Sequence, residues 1–516
     1  MSWEAEIKEM AWRRERALEM GGADAVARQH RQEKLTARER IDRLLDPGSF
    51  REIGTFAGSA RYREDATVEA VVPANTVIGK GRIDGRRVVV AADDFTIRGG
   101  STEATNPEKW QYADRFALAK QVPMIRLVDS AGGSIRLLEQ MQSTKIPGYP
   151  HWNYTEMMGV IPVVGAALGS IAGLGAVKVV ASHFSVIVKG TSQVFAAGPP
   201  VVERGLGEKV TKEELGGSQV HARGSGVVDN EAQSEDDAFQ QIRRFLSYLP
   251  ANVYGVPPSV ISDDDPSRRD EFLLSAIPRE NRRPYDVRKI LESVLDRGSL
   301  FEIGRHQGPS TVACLARLRG HSVGVLANDP LQRGGSLDAG AAEKITRFVD
   351  MCDTFHIPVV NFVDQPGVMV GTAAEARGTV RLAVRAIMAI RQSRTPFVSI
   401  IMRRVFGVAG GGHGPIHGLN ERYAWPSGYW GSIPVEGGVE AAFSRDIEAA
   451  ADPAARRAEL ETYYRRFASP FRTAERFGIP EIIDPRDTRP LLCEWVEEAY
   501  DVVATQLGPT YRTMRS

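Results

Sequence analysis

The sequence predicts two tandem copies of one layered α/β fold. Three observations carry that prediction: a long internal repeat, apolar strands alternating with helical patterns, and a glycine-rich turn at the same place in each copy. Residues 45–54 (LDPGSFREIG) match 295–304 (LDRGSLFEIG), and 82–101 (RIDGRRVVVAADDFTIRGGS) match 317–336 (RLRGHSVGVLANDPLQRGGS). Asp94 and Asp329 stand 235 positions apart, as do Arg98 and Arg333, and Asp129 and Asp364 at the end of the next apolar run. The run 162–173 then faces 396–407 at an offset of 234. From 82 onward the register is kept to within one position across successive segments, which marks a duplication.

Each copy shows the same order of elements. A valine-rich run (88–92; 323–327) reads as a buried strand and is followed by a Gly-Gly-Ser turn. A helical pattern comes next (108–120; 341–355), with apolar positions at i, i+3 and i+4. Another apolar strand ends in aspartate (124–129; 359–364). Strands apolar on both faces, alternating with helices, imply buried sheets. The polar, proline-rich stretch 255–285 reads as the link, which places an N-terminal domain at 1–260 and a C-terminal domain at 261–516. The first 46 residues read as amphipathic helix that packs on a domain or a neighbouring subunit.

Composition narrows the function. Lys+Arg and Asp+Glu both number 65, so no global basic field points to nucleic acid or an anionic membrane. The apolar stretch 159–172 contains Pro162 and several glycines and is too short to span a bilayer. The three cysteines, Cys314, Cys352 and Cys493, are far apart, which argues against zinc and against a disulfide framework and fits the cytoplasm. The N-terminus, Met-Ser-Trp-Glu-Ala-Glu, lacks a signal pattern.

The glycine-rich turns carry the chemical signal. Gly169-Ser-Ile-Ala-Gly173-Leu174-Gly175-Ala176 follows an apolar strand and precedes an apolar helical run. Val405-Phe406-Gly407-Val408-Ala409-Gly410-Gly411-Gly412 stands at the matching place. Such a turn at a helix start aims backbone N–H groups outward, where they can hold an oxyanion. No G-x-S-x-G elbow, H-E-x-x-H helix or P-loop occurs. His413 and His417 lie four apart among glycines and a proline, which favours a loop or substrate-contact role over a metal site. Asp129 and Asp364 read first as strand-end caps.

Several runs together resemble the carboxyltransferase (β) subunits of biotin-dependent acyl-CoA carboxylases. They are KLTARERIDRLLDPGSF (34–50), DFTIRGGS (94–101), VKGTSQVFAAGPPVV (188–202), EELGGSQVHARGSGVVDN (213–230), PYDVRKILESVLD (284–296), VDQPG–VMVG (363–371) and YAWP (423–426). The resemblance implies a crotonase-like fold in each half and a hexamer whose sites join the N-half of one chain to the C-half of another. It implies an acyl-CoA substrate held mainly by the N-half and biotin, borne on a separate carrier with its biotin carboxylase, held mainly by the C-half. It implies that carboxybiotin releases CO₂ in the site and that biotin itself then takes the α-proton, with no metal.

Carried onto this sequence, the two oxyanion holes fall on Gly173 and Leu174, and on Gly407, Val408 and Ala409. Substrate contacts fall on Arg98, Gly99, Gly100, Gly132, Gly133, Ser134, Gly410 and Gly411, and biotin contacts on Gly367, Val368 and Phe406. The sequence departs from the family pattern at three places. Ala-Gly-Gly-Ala is Ala172-Gly173-Leu174-Gly175 here, and Tyr-Gly-Gly-Ala-Tyr-Asp is Phe406-Gly407-Val408-Ala409-Gly410-Gly411. Asp-Ser-Gly-Gly-Ala-Arg is Asp129-Ser-Ala-Gly-Gly-Ser134. The same fold accommodates a decarboxylase subunit, a biotin-independent acyl-CoA enzyme or a non-catalytic scaffold as alternatives.

Overall fold

The hairpins that open the two repeats keep one register. Thr76–Ile83 pairs antiparallel with Arg86–Asp93, and 235 positions later Thr311–Leu318 pairs with His321–Asn328. The computed structural model describes residues 2–101, 106–133, 135, 139, 142–144 and 152–510. It divides into two compact units, Met1–Gly255 and Val256–Leu507, and 508–510 return to the first. There, the Gly508 N–H donates to the Val253 carbonyl at 2.9 Å.

In the first unit Arg86–Asp93, Met124–Val128, Val163–Ala167 and Phe184–Val188 run parallel through the middle of the sheet. In the second, His321–Asn328, Val359–Gln365, Phe397–Phe406 and Asn420–Ala424 repeat that order. Val163–Ala167 (VVGAA) is buried at every position, which is why its sequence is a continuous apolar run rather than an alternating one. Helices Pro107–Lys120 and Ala339–Thr354 follow the Gly-Gly-Ser turns as the periodicity predicts. Pro107 sits in the first turn of one, and Asp338 caps the other by accepting the Ala341 N–H at 2.8 Å. This is the two-domain crotonase-like α/β fold.

The N-terminal 46 residues are three helices rather than one: Glu4–Leu18, Ala23–Arg31 and Ala37–Leu44. Thr36 and Glu39 form a reciprocal capping box on the third. That helix buries Ile41 and Leu44 completely, and also Arg40. It is therefore part of the first unit's core, and each buried aliphatic contributes roughly 1.5–3 kcal/mol.

The duplication extends to a buried charge. Lys109 and Lys344 are equivalent, each lying near Gly54 or Gly304 and in the field of Glu52 and Arg38, or of Glu302 and Arg288. Burial pushes both ammonium groups down to about 8; the glutamates offset part of this and the arginines add to it. Between about pH 8 and 10.5 the unfolded lysine binds a proton that the folded one does not, so stability rises with pH across that window. The unfolding free energy of the wild type minus that of Lys344→Met should therefore climb by up to about 3 kcal/mol across the same window. A pH-independent difference in denaturant titrations would contradict the buried-amine account.

Candidate active site

In the first unit three loops meet beyond the C-terminal ends of the parallel strands, where open α/β sheets bind ligands. The turn Arg98–Gly100 touches the loop after Asp129: the Ala131 N–H donates to the Gly99 carbonyl at 2.9 Å, and Ser101 Oγ donates to the Gly132 carbonyl. That loop in turn holds the third, because the Ala172 N–H donates to the Ser130 carbonyl at 3.0 Å. Gly99, Gly100, Gly132, Gly173 and Leu174 are thereby gathered, with Arg98 on the exposed side at φ 49°. Gly133 is exposed beside them, and Ser134 lies outside the described residues.

Gly173 stands at φ 58°, ψ −122°, a conformation closed to side-chain-bearing residues, and helix Leu174–Val180 begins immediately after it. Its own N–H is directed inward, to the carbonyls of Phe195 and Ala196, each at 3.2 Å. A committed donor is not available to an oxyanion. Gly173 shapes the turn, and the first-turn amides of Leu174 and Gly175 have no intrahelical partner.

The second unit repeats the arrangement. Gly407 has φ 62° and opens the short helix Gly407–Gly410. Gly132 and Gly367 are equivalent, and each backs onto the carbonyl before its turn, that of Ala172 or Phe406. The Leu337 N–H donates to the Gly367 carbonyl and the Met369 N–H to that of Leu337, both at 3.0 Å, which seats Val368 beside Leu337. Val408 is 74% exposed, while Ala409 is buried. Gly410 packs against Val405 and Gly411 is exposed. Phe406 stacks edge-on against Tyr429 at 5.6 Å and lines an open pocket of about 330 Å³ with Trp430 and Ile433.

Asp129 and Asp364 anchor these loops through buried ion pairs and do not cap the segments after them. Asp129 accepts from Lys34 Nζ, Arg40 Nη1 and Gln29 Nε2 at 3.0–3.1 Å, and Arg40 also pairs with Glu235 at 2.7 Å. Asp364 accepts from Arg404 Nε at 2.6 Å, Arg403 Nη2 at 2.9 Å and Tyr285 Oη at 3.0 Å. Burial opposes ionisation of Asp364, but Arg404 and Arg403 outweigh it and hold the carboxyl below its ordinary range. Arg404 also donates to the Gly334 carbonyl at 2.7 Å, so one side chain ties the Arg333–Gly335 turn to the strand leading into Gly407. Sequence reading missed Arg403 and Arg404; an arginine pair just before a glycine turn was the available signal.

His413 and His417 do not face each other across a site. His417 is exposed, whereas His413 turns its ring inward against Asn361. Among the described residues no group of His, Cys, Asp and Glu side chains is placed to hold a metal ion.

With this geometry in place, the family described as carboxyl transferase domain matches residues 28–502. The chain belongs to the carboxyl transferase family. Within that family it is 39% identical to the propionyl-CoA carboxylase carboxyltransferase subunit of Haloferax mediterranei, over 95% of each chain. It is 35% identical to the methylmalonyl-CoA decarboxylase subunit alpha of Veillonella parvula, over 91% of each. The crystal structure of transcarboxylase 12S, described as a hexamer with methylmalonyl-coenzyme A bound, has a TM-score of 0.87 at 31% identity. It covers 100% of this chain and 98% of that one. The carboxyl transferase fold thus accounts for both repeats in full.

Proposed function

We propose that this carboxyl transferase family member moves a carboxyl group from carboxybiotin to the α-carbon of an acyl-CoA thioester. The observation that carries the reading is the pair of equivalent turns, each opened by a positive-φ glycine and each leading into a helix whose first amides have no intrahelical partner. Two enolate-like oxygens need two sets of preorganised donors, and fixed amides serve without reorganising during the reaction. Leu174 and Gly175 hold the thioester oxygen, and Val408 and Ala409 hold the biotin oxygen. Gly99, Gly100 and Gly132 line the acyl-CoA side; Gly367, Val368 and Phe406 line the biotin side. The 330 Å³ pocket beside Phe406 falls in the size range of small-ligand sites. When bound, carboxybiotin supplies the carboxyl group and the base, which fits a site whose donors are amides.

Relatives named as subunits of propionyl-CoA carboxylase and the hexameric transcarboxylase core support a homo-oligomer that works with a separate biotin carrier and biotin carboxylase. The three buried free cysteines support a cytoplasmic setting. The test is radiolabelled carboxyl transfer with free biotin and a panel of acyl-CoAs. Turnover with at least one acyl-CoA is expected. No transfer and no α-proton exchange with any of them would favour a scaffold subunit instead.

A further inference from the structure

Behind the Gly407–Gly412 segment lies a cavity of about 30 Å³, room for about two water molecules. Its lining includes Thr311, Asn361, Ile387, Ala409, Gly412 and His413. Two buried polar atoms here have no hydrogen-bond partner among the described residues: Thr311 Oγ1 and His413 Nε2. Buried polar groups in folded proteins are paired with protein or with ordered water, so this pair identifies what the cavity takes.

The state of the imidazole follows from its other nitrogen. Asn361 Nδ2 lies 3.0 Å from His413 Nδ1 and donates to it, which leaves the ring proton on Nε2. Burial, helped by the charge of Arg422, holds the imidazole down to about 3, so the ring is neutral near pH 7. His413 therefore presents one N–H donor. Thr311 is 3% exposed, its N–H donates to the Gly308 carbonyl at 3.2 Å and its carbonyl accepts from Lys344 Nζ at 2.7 Å, so its hydroxyl is its remaining polar group. Donor and hydroxyl need an acceptor–donor molecule between them, and water is one.

The same cavity is walled by side chains that hold the C-half loops. Asn328 donates to the Gly335 carbonyl at 3.3 Å and accepts the Asp364 N–H at 3.0 Å. Gln365 Oε1 accepts the Gly367 N–H at 3.1 Å. The His413 carbonyl accepts from Ser399 Oγ at 2.6 Å, which fixes the segment following Gly412 to the sheet. We propose that this cavity is an internal hydration site in which water bridges His413 Nε2–H to Thr311 Oγ1, and that His413 is thereby a positioning residue for the Val408–Gly412 turn. The positioning half rests on the proposed use of that turn; the hydration half does not.

The test has two arms. A high-resolution crystal structure of the wild type should show ordered water within hydrogen-bond distance of both His413 Nε2 and Thr311 Oγ1; a dry cavity overturns the proposal whatever the activity. In transfer assays, His413→Leu and Thr311→Val should each lower kcat about tenfold while the acyl-CoA KM stays within about twofold. The double variant should be no worse than His413→Leu, because both substitutions break one bridge. His413→Gln, which keeps an N–H donor, should recover most of kcat. Multiplying losses, or a glutamine variant as poor as leucine, overturns the positioning role. A wild type that turns over no acyl-CoA overturns it too, while the water density still decides the hydration site.

Discussion

Leu174→Pro is expected to lower kcat for carboxyl transfer by about 10²–10³-fold with the fold intact. Leu174 is the first residue of the helix that ends at Val180. Proline is tolerated there, because its fixed φ suits the first helical position and the missing N–H has no intrahelical acceptor. The substitution thus deletes one hole donor and little else. Leu174→Ala keeps the amide and should stay within a few-fold of wild type. Val408→Pro should behave like Leu174→Pro in the second unit, since Val408 lies in the first turn of the helix Gly407–Gly410. Steady-state kinetics with thermal melting as the folding control check both. Equal losses for Leu174→Pro and Leu174→Ala would assign the effect to the side chain and not the backbone.

Asp364→Ala is expected to cost about 3–5 kcal/mol of stability, because it strands Arg403 and Arg404 without their shared partner. Asp364 and Arg403 are buried, so on that side water does not replace the lost partner. The loss should show in urea titrations as a lower midpoint. Because the folded carboxyl is held below its ordinary value of 3.8, its contribution is present above that value and fades as pH falls further. The gap between wild type and variant should therefore narrow in acid. Activity should fall as well, since Arg404 bridges the Gly334 turn to the strand before Gly407. An unchanged urea midpoint would show that the cluster is not a stabilising anchor.

The duplication was legible because it rests on local signals. Hairpin turns, apolar runs and helix periodicity recur at a constant offset, and the paired strands keep that offset residue for residue. The two glycine-rich turns were legible too, because they stand at matching places in the two copies. What stayed hidden depends on packing between distant segments. The Gly173 N–H donates to the carbonyls of Phe195 and Ala196, more than twenty positions away. Arg40 reads as a solvated helix residue, yet it pairs with Asp129 and Glu235, 89 and 195 positions on. His413 reads as a loop or substrate-contact residue, yet the loop turns it toward a cavity and leaves His417 outside. Polar residues become legible only once the fold has decided which of them share a desolvated space.

In the proposed reaction amide hydrogens, not side chains, hold the charge that develops on the acyl-CoA. A crystal structure with a stable acyl-CoA analogue tests it most directly. The thioester oxygen is expected within about 2.7–3.1 Å of the Leu174 and Gly175 nitrogens. A thioester oxygen bound by a side chain or by solvent, with those two amides facing elsewhere, would contradict it.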